Sequence, residues 1–279
     1  MLKDGSIMKK IRNKNLFTLL EVLVSMGVFA LLMLALMQFF SAAQGVWEKS
    51  GSKSELFDSA RVAAQLLTED LTTAFYGDAE HDMSKYRFYQ NDSTRLTFAA
   101  QRTGGLTEVD YNWNQTDLTL EIRELPETDA NAPVGESKWV TYPSGAWIGS
   151  DDDPVSIRGK TATPIAENVL YVHFEDQRAP GDVNRPPRIV IATFAILSSA
   201  GYDKLDTIIR PGVAGSTDDE KDKNVKAQVK TYFDAMTPAS GVKDKFNDNA
   251  VPESGSDKPA KEIIFDNVQF FKLLIPIER

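Results

Sequence analysis

Between Phe17 and Phe40 the only polar side chains are Thr18, Glu21, Ser25 and Gln38, and Gly27 is the one residue that weakens a helix. Wound as an α-helix at about 1.5 Å per residue, this run is about 36 Å long, more than the roughly 30 Å hydrocarbon layer of a bilayer requires. A chain with such a run buries it in lipid or inside a large soluble core, because water opposes exposing that much apolar surface. Lys3, Lys9, Lys10, Arg12 and Lys14 precede the run against Asp4 alone, while the whole chain carries a formal charge of −9, so the part beyond the run is strongly acidic. By the positive-inside rule this asymmetry predicts a cytoplasmic N-terminus and an exported body. The run is longer than the roughly 7–15 apolar residues of a cleaved secretory signal, although FSAAQG at 40–45 offers a small-residue site of the kind that ends one.

Glu21 is out of place in this run. A carboxylate in lipid costs about 2.5 kcal/mol or more. Three readings need no partner: the side chain reaches back to the interface, it is neutral in the membrane, or the run is a buried helix of a soluble protein. Glutamate is short for the first, since Glu21 lies about 6 Å of helix rise beyond Phe17. A fourth reading supplies a cation. If the chain is cut before Phe17, the new α-ammonium lies on the same first turn. In a bundle of such helices the carboxylate of one copy then pairs with the amine of its neighbour, which sets axial register and removes two charges from lipid.

With its basic leader, FTLLEVLVSMGVFALLMLAL resembles the N-terminal processing and methylation motif of type IV pilins and type II secretion pseudopilins: a phenylalanine, a short apolar and threonine stretch, then a glutamate at the fifth mature position. The resemblance implies that residues 1–16 are a leader peptide and 17–40 a transmembrane helix. It implies also that a membrane prepilin peptidase cuts between Leu16 and Phe17 and methylates the new amine, and that Glu21 is the charge used in filament assembly. Leu16 departs from the pattern, since the family usually places glycine before the cut, and cleavage is therefore a separate expectation from insertion.

Beyond Phe40, Leu56, Ala60, Ala63, Leu67, Leu71 and Ala74 recur at three- and four-residue spacing with Glu55, Asp58, Arg61, Gln65, Glu69 and Thr72 between them. This is the period of an amphipathic helix, so residues 41–76 read as its continuation, with Gly45 and the SGS at 50–52 weakening the link and Gly77 a plausible stop. The apolar stripe, Leu56, Ala60, Ala63, Leu67 and Leu71, is the expected face for packing a sheet. Glu69 and Asp70 read as solvated charges. LLTEDLTTAF at 66–75 is similar to the corresponding helix of the larger minor subunits, the J-type of type II secretion and the W-type of type IV pili.

Residues 77–279 read as a β-rich body. RLTFAAQ (95–101), LTEVDYNWN (106–114) and DLTLEIREL (117–125) alternate apolar and polar residues between short polar turns, as a meander does. ENVLYVHFED (167–176) and PRIVIATFAILSS (187–199) are two more strands around a turn rich in Pro, Gly, Asp and Asn, and EIIFDNVQFFKLLIP (262–276) is read as the last. The pair ENVLYVHFED and PPRIVIATFAI is again similar to the J- and W-type sheet domain. The chain also resembles a family of large prepilin-like proteins from gene cassettes of the Verrucomicrobia. Residues 126–164 and 201–260 are polar, the first with SDDDP and the second with STDDEKDKNVK, and both read as surface loops or insertions, with a short helix possible in KDKNVKAQVKTYFDAM. The fold class expected is α+β: a long N-terminal helix, half transmembrane and half amphipathic, packed on an antiparallel sheet domain in the pilin manner.

Chemistry is sparse. With no cysteine there is neither disulfide nor thiolate site, and an acidic body is a poor nucleic-acid binder. His173 lies in an alternating strand and reads as a pleat residue, while His81, near Asp78 and Asp82, is weakly spaced for a metal. No nucleophile-elbow, zincin, dinucleotide or P-loop string occurs, so an enzyme, a resident metal and a cofactor are not expected. Acidic runs at Asp151–Asp153 and Asp218–Glu220 offer oxygens of the kind calcium takes but lack the spacing of a calcium loop. Trp113, Trp139 and Trp147 read as packing residues.

Two functions remain open. In the first, implied by the resemblance, the protein is a minor structural subunit of a type IV pilus-like or type II secretion pseudopilus filament. It sits in the inner membrane with its C-terminal domain periplasmic or extracellular, and its partners are other pilin-like subunits, the prepilin peptidase, an inner-membrane assembly platform and lipid. The second is a stationary bitopic protein whose exported β-domain binds a ligand or surface partner, a reading that Leu16 favours.

Overall fold

The computed structural model describes residues 18–74, 93–126, 160–177, 187–239, 242–247, 250–251 and 254–277. The chain divides into two compact units, Met1–Ser50 and Gly51–Arg279. Helix α1, Leu19–Thr72, runs through both without a break at Gly45 or Gly51. Two glycines at about 1 kcal/mol each do not outweigh the hydrogen bonds of a helix this long, so the expected weak link is helical. The apolar stretch of the first unit, Leu19 to Phe40, is exposed at every residue and is long and apolar enough to cross a membrane. The reading of this run as a buried core helix is therefore not what the chain adopts.

In the second unit the α+β class holds. Strands β1 (Arg95–Arg102), β2 (Gly105–Asn114), β3 (Thr119–Pro126) and β4 (Thr163–Ala166) form one antiparallel sheet in that order. Strands β5 (Val169–Asp176), β6 (Ile189–Leu197) and β7 (Val268–Pro276) form a second, also antiparallel. The two are joined by main-chain bonds, Val169 N–H to Leu118 C=O at 2.7 Å and Phe174 N–H to Ser93 C=O at 2.6 Å, and by Trp113 Nε1, which donates to Val169 C=O at 2.8 Å. One core unites both sheets with the inner face of α1 through Leu56, Leu67, Leu71, Phe98, Val109 and Phe194. The lower end of α1 also enters the sheet edge, where Gln101 N–H donates to Thr73 C=O at 2.8 Å.

The segment expected as polar loops, 201–260, is instead largely helical. Helix α2 (Ser199–Ile209) is followed by a 3₁₀ turn (Arg210–Gly212), helix α3 (Asp218–Met236) and helix α4 (Lys258–Asn267). They build a second core, in which Leu205, Val225, Val229, Phe233 and Ile264 pack with Leu170, Ala195 and Leu197 of the second sheet. In α3, Val225, Val229, Phe233 and Met236 are the buried residues. Their four- and three-residue spacing is the signal that a mean over so many charges hides. Residues 127–159 of the other polar stretch lie outside the described residues, and its end forms β4. The last segment is likewise half helix: Pro259 opens α4, Ala260 and Ile264 face its core, and only from Val268 is the chain a strand. The direct passage from α4 to β7 at Asn267–Val268, with no turn between them, concealed the change of period.

α2 and α4 cross at Gly201, where an added Cβ would lie 2.7 Å from Asn267 Cβ and 3.0 Å from Leu197 Cδ1. Asn267 also closes the crossing, since Ser198 N–H donates to its carbonyl at 3.1 Å. Gly201→Ala is expected to cost about 1–3 kcal/mol, read as a lower urea midpoint of the full-length protein.

Acid is expected to loosen α3 and the start of α4. Burial raises the carboxyls of Asp222 and Asp234, but hydrogen bonds from Lys226 and Tyr202 to the first, and from Lys230 and Lys243 to the second, outweigh it and hold both below the usual value. Lys261 does the same for Asp257. Folded-state values below the unfolded one of about 3.9 mean that this stabilisation is complete above that pH and is lost as pH falls through the lower folded values. Amide exchange measured from neutral pH downwards should show protection in α3 falling as these carboxylates protonate.

Candidate functional site

The two halves of α1 carry the residues singled out in the sequence, and they hold their charges in different ways. Leu16 and Phe17 lie outside the described residues. Helix α1 begins at Leu19, so Glu21 is in its first turn. Thr18 is the capping residue, its hydroxyl accepting from Glu21 N–H at 3.3 Å and its carbonyl from the same N–H at 3.0 Å. A threonine followed three residues on by glutamate is the sequence of a capping box. Glu21 thereby lies at the positive end of the helix dipole, an interaction worth about 0.3–1 kcal/mol. Ser25 Oγ donates to Glu21 C=O at 2.7 Å, which leaves the carboxylate itself without an ion-pair partner among the described residues.

Further along, Leu56, Ala60, Ala63, Leu67 and Leu71 are all buried, none more than 5% exposed. Each leucine contributes about 1.5–3 kcal/mol when fully buried. Among these apolar residues lies Asp70, which was expected to be solvated with Glu69. Glu69 is exposed, but Asp70 is 3% exposed. Arg102 grips it with two bonds, Nε to Oδ1 at 2.9 Å and Nη2 to Oδ2 at 2.7 Å. Tyr111 Oη donates to Oδ2 at 2.6 Å. Arg102 Nη1 reaches Glu124 at 2.6 Å. Burial, reinforced by the charge of Asp70, pushes the Tyr111 phenol well above its ordinary value, so it stays a donor. Burial works against the Arg102 cation, but its hydrogen bonds to Asp70 and Glu124 outweigh this and raise its pKa.

The signal for this cluster was available. Asp70 lies three residues after Leu67 and seven after Ala63, on the buried side of the helix. Arg102 shares strand parity with Leu96, Phe98 and Ala100, and Tyr111 with Val109 and Trp113, so all three point to one core. A second buried carboxylate, Asp110, has the opposite parity on β2. It receives Arg95 Nε at 2.6 Å, Thr97 Oγ1 at 2.8 Å and Arg123 Nη1 at 3.2 Å on the other face of the sheet.

Of the other candidates, Asp218–Glu220 is the first turn of α3, where Thr217 and Glu220 form a reciprocal capping box. Hydrogen bonds from Ser216 and Thr217 keep the Glu220 carboxyl below its usual value. His173 stacks on Tyr171 with centroids 6.1 Å apart, and burial lowers its pKa. Trp113 is buried, with Lys230 Nζ 5.4 Å from its ring centre. His81, Asp78, Asp82, Asp151–Asp153, Trp139 and Trp147 lie outside the described residues. Among the described residues no three His, Asp or Glu side chains are placed to share a metal ion. No family model matches the chain, and no curated protein matches it.

Asp70 ties α1 to β1 and β2, so removing it takes one of two carboxylates from the half-buried Arg102 guanidinium and leaves the buried Tyr111 phenol without its acceptor. Asp70→Ala is expected to cost about 3–5 kcal/mol and Tyr111→Phe about 0.5–1.5 kcal/mol, both measured by urea unfolding. If Asp70→Ala costs no more than Tyr111→Phe, the pair does not anchor the helix.

Proposed function

We propose that the protein is a minor structural subunit of a type IV pilus-like or type II secretion pseudopilus filament. In this reading it is held in the inner membrane by Leu19–Phe40, its N-terminus is cytoplasmic and its sheet domain exported. The observation that carries it is the one charge in an otherwise apolar, fully exposed helix segment: Glu21, in the first turn of α1. The helix dipole returns about 0.3–1 kcal/mol against a lipid cost of about 2.5 kcal/mol or more, a deficit that the chain's described residues do not make up. The amine of a processed Phe17 on a neighbouring subunit would supply the missing cation, and the resemblance of the leader to a prepilin motif supports that source. The protein then acts by packing and charge pairing, not by catalysis. A body of this size suits a minor or tip-proximal position better than one repeated along a thin filament.

Two measurements test this together. Intact-mass spectrometry of membrane-extracted protein should give a chain starting at N-methyl-Phe17. Cross-linking with co-expressed sibling subunits should be lost in Glu21→Ala while membrane insertion persists. An unprocessed N-terminus together with undiminished cross-linking of the variant would overturn the proposal.

A further inference from the structure

Strand β7 has a neighbouring strand on one side only, β6. Asn267 C=O accepts from Ser198 N–H at 3.1 Å and Ile277 N–H donates to Arg188 C=O at 3.0 Å, so in this register the odd-numbered residues bond towards β6. In an antiparallel ladder the residues between them turn their amides the other way. The N–H and C=O groups of Phe270, Lys272 and Leu274 therefore lie along an open edge, with no hydrogen-bond partner among the described residues. Beside this edge the side chains are apolar on both faces of the sheet. On the face towards α1, Phe57 is 56% exposed and meets the Phe271 ring edge-on at 5.7 Å. On the face towards α4, Leu274 is 63% and Phe265 48% exposed, and Phe246 joins Phe265 to Phe270 with ring centres 5.2 and 5.1 Å away. Lys272 stands exposed on this second face, without an ion pair among the described residues.

Unpaired backbone amides in a row select an extended chain, because a helix or a lipid tail offers them no ladder. Lysine and proline on an edge blunt it against indiscriminate pairing, and here they act against one partner in particular, a second β7. Laid antiparallel with Lys272 opposite Lys272, two copies set like charges face to face. A shift of two residues in one direction puts Phe270 opposite Pro276, which has no N–H to give. The opposite shift puts Leu274 opposite Val268, whose N–H is already bonded to Ile264 C=O. A strand from a different polypeptide, with a carboxylate opposite Lys272 and an apolar residue two positions to either side, meets every feature: it pairs the amides, neutralises the lysine and covers Leu274 and Phe270. We infer that β7 is a docking edge for an extended, antiparallel segment of a partner protein that presents an acidic residue between two apolar ones on one face. The inference is independent of the filament reading, because none of these residues belongs to the membrane-spanning segment or its leader.

The test is calorimetric titration of the full-length, detergent-solubilised protein with three peptides. The first is acetyl-Thr-Val-Thr-Glu-Thr-Val-Thr-amide, the second carries lysine in place of the glutamate, and the third is the first N-methylated on the glutamate and both valines, the residues whose amides face the edge. Saturable binding at about millimolar concentration or below is expected for the first, about fivefold weaker binding for the second, and none for the third. Lys272→Glu, made at an exposed side chain, should reverse the order of the first two peptides. The inference is overturned if no peptide binds saturably, if the N-methylated peptide binds as well as the first, or if Lys272→Glu leaves the order unchanged. It is overturned also if the parent protein self-associates in sedimentation and Leu274→Asp disperses it, which would make a second copy the occupant of the edge.

Discussion

The inner face of α1 between Leu56 and Leu71 is the surface on which both sheets of the second unit converge. Five small or aliphatic side chains at helical spacing give it a narrow stripe, and the alanines at 60 and 63 let strands approach closely on either side of the leucines. Apolar burial alone is indifferent to small slides along the helix axis. Asp70 removes that freedom. A carboxylate gripped by Arg102 through two nitrogens and by Tyr111 fits in one axial position, and a displacement of one helical turn, about 5.4 Å, would break all three bonds and leave Asp70 and Tyr111 buried without these partners. Leucines supply the attraction and the aspartate supplies the register.

The second sheet then has a different problem from the first. One face meets the inner face of α1, and the other carries Leu170, Ala195, Leu197 and Val268, which would be open to water without α2, α3 and α4. Strand β6 records this in its sequence, IVIATFAIL, which is buried at every position but the first. A strand between two covered faces loses the alternation of a half-exposed one. The single polar member, Thr193, holds a buried hydroxyl without a hydrogen-bond partner among the described residues, a local cost that its apolar neighbours on the strand offset.

These particulars show what was legible in the chain and what was not. The apolar stripe of α1, the three-strand meander and the β5–β6 pair were readable because each keeps one period long enough to be seen against its neighbours. The helices between β6 and β7 were not, because their buried residues, such as Val225, Val229 and Phe233, are spread among lysines and aspartates that make the segment look like a solvated insertion. Residues 262–276 were read as one strand because helix α4 hands over to β7 directly at Asn267–Val268, with no turn between them. Asp70 was missed for a related reason: charge was taken as a sign of exposure, although its place on the stripe and the parity of Arg102 and Tyr111 pointed inward.

Asp70 and Glu21 set a common physical problem on one helix, and their surroundings resolve it differently. Each is an acid beside leucines, in a place where an unpaired carboxylate is costly. For Asp70 the chain supplies its own cation and its own phenol, so the cost is met within the fold. Among the described residues Glu21 has only the threonine cap and the dipole of its own helix, a return several times smaller than the cost of a carboxylate in lipid. If that segment lies in a membrane, as proposed, the balance is completed from outside the chain's described residues, and a positive group at the same depth on an adjacent helix is the simplest donor. The internal pair fixes where the sheets sit on α1; an external pair of the same kind would fix where one subunit sits on the next.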